Sequence, residues 1–148
     1  MNRPTPRHRH EFPHFQPITT RWSDNDVYGH VNNVTYQSYF DSIVNRYLIN
    51  ANVLNIESGA VIGLVVETGC HYFSSIAFPD DIEAAFKVAH LGNSSVRYEI
   101  GIFKQGEALC AAHGHIVHVY VDRQSRRPVS LPSALREALE ILTQPRNA

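Results

Sequence analysis

The chain has 148 residues, 43% of them hydrophobic and 18% charged, with a formal net charge of −1. That describes one globular domain, large enough to bury a core without disulfide or metal staples. Near-neutral charge leaves no electrostatic footprint for nucleic acid, and no stretch is apolar for long enough to span a membrane.

Residues 1–15 are rich in Pro, His and Arg and show no periodicity. They read as a loosely ordered arm that leaves residues 16–148 as a single domain. The arm has no apolar core of a signal peptide, and Cys70 and Cys110 sit in strand-like runs as buried, reduced thiols. A cytoplasmic protein is expected. Residues 18–22 suit a short strand, and the Asp, Asn and Gly of residues 23–30 suit a turn. From Asn33 the pattern switches to helix period: Tyr36, Phe40, Ile43, Tyr47, Ala51 and Leu54 recur at spacings of three and four. Asn32 or Asn33 is the natural N-cap. Strand-like stretches follow at 61–74, 82–91, 95–104 and 108–122, divided by short turn signals that predict an antiparallel meander of neighbours. Leu135, Leu139 and Leu142 suggest a short terminal helix after Pro132, with Ser133 as its N-cap. A strand, one long helix and a sheet able to wrap it make an α+β architecture.

Chemistry concentrates in residues 23–36. Asp24 and Asp26 lie just ahead of a helix start, whose unpaired N–H groups and positive dipole end suit an anion, including the oxyanion of acyl transfer. Gly29 lets the chain turn or lets a ligand approach the backbone. The same residues also describe a plain turn and helix cap.

The run Asp24-Asn25-Asp26-Val27-Tyr28-Gly29-His30-Val31-Asn32-Asn33, led by Arg21-Trp22-Ser23 and followed by Val34-Thr35-Tyr36, resembles the signature of the 4-hydroxybenzoyl-CoA thioesterase family. It is also similar to the matching segment of long-chain acyl-CoA thioesterases and plant acyl-ACP thioesterases. The order of elements extends the resemblance over residues 15–125. It implies a hotdog fold, in which an antiparallel sheet of about five strands wraps a central helix. It also implies hydrolysis of an acyl-CoA or acyl-carrier-protein thioester. Asp26 takes the place of the catalytic carboxylate, as nucleophile or general base. Asn33 takes the place of the residue whose backbone N–H meets the thioester oxygen. Where the plant enzymes carry an Asn and a His after the aspartate, this chain has Tyr28 and His30; His30 is a third candidate. No cofactor is implied beyond the coenzyme A of the substrate, and relatives form dimers, often paired into tetramers.

Substrate contacts are expected from Gly29, Tyr36 and Glu67, and from Ser94, Ser95 and Arg97, which occupy a place where relatives meet nucleotide or pantetheine. Each has a bland reading: Tyr36 as core packing, Glu67 as a paired strand carboxylate, Arg123, Arg126 and Arg127 as a solvated cluster. His113 and His115 share one strand face and His118 the other, which leaves too few ligands on either side for a metal site. A hotdog hydratase or dehydratase and a non-catalytic acyl-thioester binding module are the alternatives. The hydratase class is suggested by the Asp26–His30 spacing. Release of free thiol separates hydrolysis from both.

Overall fold

The computed structural model describes residues 3–143. Strands β1 (His14–Thr19), β2 (Val61–Tyr72), β3 (Asp81–Leu91), β4 (Ser95–Lys104) and β5 (Ala112–Asp122) form one antiparallel sheet in the order β1-β3-β4-β5-β2. Helix α1 (Asn33–Asn50) lies across one face of it, and α2 (Ser133–Glu140) closes the chain. This is the hotdog fold that the resemblance implies. The strands β3, β4 and β5 do follow one another as neighbours. The expected meander fails at β2, which pairs with β5 instead of β3. A link of eight residues, 73–80, is long enough to cross an end of the sheet rather than fold back as a hairpin.

Helix α1 buries Tyr36, Tyr39, Phe40, Ile43, Val44 and Leu48, the stripe that period 3.6 predicts. Asn32 caps its start by accepting the Val34 N–H at 2.8 Å. Its end is a Schellman turn: Asn52 adopts φ 59°, Val53 N–H reaches Leu48 O at 3.0 Å and Asn52 N–H reaches Ile49 O at 3.0 Å. The helix therefore stops short of Ala51 and Leu54, whose spacing had extended the predicted stripe. Gly114 on β5 lets the helix sit close, since a Cβ there would collide with the Phe40 ring. At the second helix Pro132, not Ser133, is the N-cap, and Ser133 is the first helical residue.

The N-terminal segment departs most from the sequence reading of a loose arm. Arg9 N–H donates to Ala108 O at 2.8 Å and Cys110 N–H to Arg7 O at 3.0 Å, so these residues bridge the stretch before β5. That stretch, predicted as the start of the last strand, pairs with the arm instead. Phe12 is completely buried with Ala85, Phe103 and Cys110 in a second core on the sheet face away from α1. Arg9 lies over the Phe15 and Phe103 rings at 5.0 Å from each centroid and pairs with Glu83 at 2.9 Å. β1 also begins at His14, and Trp22–Asp24 forms a 3-10 turn rather than the strand's end. One apolar residue in a polar run has no period to announce it; Phe12 is ordered by partners remote in sequence.

Candidate active site

The turn between β1 and α1 is built on Asp24. Its carboxylate accepts the Arg21 N–H at 2.9 Å, the Arg21 guanidinium at 3.0 and 3.2 Å, and the Tyr39 hydroxyl at 2.9 Å. Its carbonyl accepts the Asn32 N–H at 2.9 Å. Asp24 is 2% exposed. Burial works against its charge, but the Arg21 N–H, the Tyr39 hydroxyl and the Arg21 guanidinium outweigh it and hold the carboxyl below its ordinary value. The same side chain thus ties the turn to the helix through Tyr39.

Asp26 hangs from that anchor in a second, tighter turn. Its N–H donates to His30 O at 2.8 Å, its carbonyl accepts the Gly29 N–H at 3.0 Å, and Oδ1 accepts the Tyr28 N–H at 2.9 Å. Gly29 has φ 80°, the left-handed region that glycine occupies without strain. The link between residues 26 and 30 is a main-chain one, and the His30 side chain is exposed. At the helix start Asn32 accepts from Val34 and Thr35. Among the described residues nothing accepts the Asn33 N–H, an orphan donor of the first turn.

Asp26, His30, Asn33 and Tyr36 line one cleft of about 340 Å³. Its opposite wall is the end of β2 and the link after it: Tyr72, Phe73, Ser74, Ser75 and Ile76. Val31 N–H donating to Ile76 O at 2.7 Å and Phe78 N–H donating to Asn25 Oδ1 at 3.0 Å clamp the two walls together. Burial, then Cys70 and for Tyr36 also the Tyr72 hydroxyl, pushes the hydroxyls of Tyr36 and Tyr72 up to about 12, so both remain neutral donors. The sequence did not single out Tyr72, Ser74 or Ser75. Their proximity to Asp26 exists only once β2 crosses to β5.

The other predicted contacts lie elsewhere on the chain. Gly29 shapes the turn without lining the cleft. Ser94 sits in the β3–β4 turn, where its carbonyl accepts the Tyr120 N–H at 2.8 Å, and Ser95 opens β4, its carbonyl accepting the Gly92 N–H at 2.8 Å. Glu67 and Arg97 come together with His115 on the sheet face away from α1: Arg97 reaches Glu67 at 3.3 Å and His115 Nε2 lies 2.8 Å from it. Within one chain none of these four lines the Asp26 cleft. Alternation puts Glu67 and Arg97 on the wrong side of their strands for that. His113 meets Glu99 at 3.0 Å on the same outer face, whereas His118 is buried against Tyr98 and Tyr120 under the helix. Of the arginine cluster, Arg123 is structural, pinning residues 55–59 through the carbonyls of Ile56 at 2.6 Å, Asn55 at 3.5 Å and Gly59.

The model of the Thioesterase-like superfamily matches residues 20–139. The chain is 27% identical to YsmA of Bacillus subtilis over 129 residues, 86% of each chain. It shares 52% identity with the PA5185 protein of Pseudomonas aeruginosa, whose crystal structure matches with a TM-score of 0.93 over 97% of this chain and 100% of that one. Slr0204, a 1,4-dihydroxy-2-naphthoyl-CoA thioesterase from Synechocystis, is alike in fold: TM-score 0.79 at 16% identity, over 88% of this chain and 98% of that one. The segment that builds the cleft and four of the five strands, β2 to β5, fall inside the matched span, and the chain belongs to the thioesterase-like superfamily.

Proposed function

We propose that the protein hydrolyses acyl-CoA thioesters to a free acid and coenzyme A, with Asp26 as the catalytic carboxylate. The observation that carries this reading is the placement of the Asp26 side chain and the unclaimed Asn33 N–H in one cleft. A thioester needs little help for its leaving group, because a thiol is a fairly strong acid, that of cysteine having a pKa of about 8.5. It needs an oxygen nucleophile and a fixed donor where negative charge develops on the carbonyl oxygen. Asp26 activates water for attack, or attacks the carbonyl itself to give an anhydride that water then opens. Asn33 N–H holds the oxyanion, and the C–S bond breaks with its electron pair leaving on sulfur. His30 lines the same cleft, where in this reading its exposed ring supplies a nitrogen for proton movement. Tyr36 shapes the acyl approach, and Gly29 acts through the turn that carries Asp26.

The working unit in this reading is a homodimer, with pairing of dimers into a tetramer. β2 is a sheet edge twelve residues long, with Val65 52% and Val66 60% exposed, and an uncovered apolar edge is a surface for strand pairing. Val27, Tyr28 and Val34 around the cleft are also exposed and would gain cover. Ser94, Ser95, Arg97 and Glu67, remote from the cleft within one chain, would meet the substrate's nucleotide only in such an assembly. The reading places the enzyme in the cytoplasm, where acyl-CoA is available. Among the described residues, no helix is long and apolar enough to cross a membrane.

The test is thiol release from a panel of acyl-CoAs by the wild type and Asp26→Asn. We expect the variant to lose about two or more orders of magnitude in kcat. Hydrolysis at near the wild-type rate would sink the assignment. In ¹⁸O-labelled water, label found in the Asp26 carboxylate after a single turnover identifies attack by Asp26, with water opening the anhydride at the aspartyl carbonyl.

A further inference from the structure

The Asp26 cleft occupies one end of the seam between α1 and β2. At that end the helix start, Asn33 and Tyr36, meets Tyr72 and the residues after it. At the other end Asn45 and Leu48 meet Ile62 and Gly63 around a separate cavity of about 330 Å³. A long acyl chain leaving the cleft along the seam would head for that second cavity. Two contacts stand across the route. The Tyr36 and Tyr72 rings meet edge to face, 5.1 Å between centroids. Next along the seam, Thr68 Oγ1 lies 2.7 Å from Gln37 Oε1 and donates to it, joining strand to helix. Tyr36 has little room to swing aside: it is 3% exposed, with the Tyr39 ring 6.0 Å away. Thr68, Cys70 and Tyr72 alternate onto the helix-facing side of β2, so the two contacts stand on the same face of the strand.

We infer that Tyr36, Tyr72 and the Gln37–Thr68 bond act as a stop that restricts the acyl group to short aliphatic chains or a single aromatic ring. This rests on the acyl-CoA hydrolase reading and adds the substrate class to it. The cleft's volume of about 340 Å³ must also hold the thioester, and its aromatic wall of Tyr36, Tyr72 and Phe73 suits a flat ring or a compact chain. Tyr72 and Gln37 are then the residues that set chain length.

The experiment measures kcat/KM by thiol release with acetyl-, butanoyl-, hexanoyl-, benzoyl-, dodecanoyl- and hexadecanoyl-CoA. For the wild type it should climb by up to about fourfold per methylene only while the chain still gains burial. Dodecanoyl- and hexadecanoyl-CoA should fall about tenfold or more below the best short or aromatic substrate. Tyr72→Ala and the more exposed change Gln37→Ala should each raise the dodecanoyl-to-butanoyl ratio by about tenfold. A ratio is immune to a general loss of active protein, and Gln37→Ala keeps the test alive if Tyr72→Ala folds badly. A wild type that prefers dodecanoyl- to butanoyl-CoA, or two variants with an unchanged ratio, overturns the inference. Failure to release thiol from every acyl-CoA tried is a different result, which overturns the hydrolase reading itself.

Discussion

Asp24 and Asp26 are two residues apart in the sequence and belong to opposite kinds of environment. Asp24 is enclosed, with both oxygens engaged by Arg21 and Tyr39. Asp26 is partly open, with one oxygen accepting the Tyr28 N–H and its side chain lining a cleft. One turn thus fixes its first carboxylate and leaves the second open to the cleft. The buried carboxylate spends its hydrogen-bonding capacity on the backbone and on α1, and the second is thereby held at the helix start with an oxygen to spare.

The contrast can be broken from either side. The largest effect is expected at Asp26: Asp26→Asn should cut kcat by about a hundredfold or more while changing stability by less than about 0.5 kcal/mol, because Oδ1 still accepts the Tyr28 N–H. Asp24→Asn should show the reverse emphasis. Losing charge-assisted bonds at a buried site should cost about 2 kcal/mol, seen as a Tm lower by roughly 4–8 °C, with activity falling as the turn loosens. Asn32→Ala removes the cap that sets the helix start and should cost about 1 kcal/mol in urea denaturation. Its kcat should drop with KM little changed if the first-turn donor acts mainly in the transition state.

The smallest effect sharpens the comparison through pH. The Asp24 carboxyl is held below its ordinary 3.8 in the folded protein. A group with a lowered folded pKa contributes stability that is present above the unfolded value and is lost as pH falls through the folded one. Wild-type stability, followed by denaturant melts at descending pH, should therefore decline below about pH 4, and Asp24→Asn should decline less over the same span.

What the sequence made legible follows from how local each feature is. Helix α1 declares itself in its own spacing, and Asn32 in its place before that spacing starts. The strands β3 and β4 declare themselves by alternation and by the turns around residues 92–94 and 105–107. The site was legible only as far as it is contiguous: Asp26, His30, Asn33 and Tyr36 lie within eleven residues and share the cleft. Its far wall was not, because Ser74 and Ser75 gain their place from a strand order that periodicity does not encode. Glu67 shows the same limit from the other direction. An acid in an apolar run signals a special position, but only the pairing register decides which face it points to, and here that face carries Arg97 and His115.

Phe12 has a practical consequence. It covers the outer face of the sheet: a Cβ added at Gly101 would stand 3.1 Å from its ring, and the Phe103 ring meets it edge to face at 5.8 Å. Shortening the chain to begin at β1 would leave the strands intact but strip Phe103 and Ala85 of their cover. The exposed patch would favour self-association at high concentration, a solubility defect with no counterpart in the Asp26 cleft. The segment around Phe12, polar on either side of it, thus decides how well the shortened protein stays dispersed.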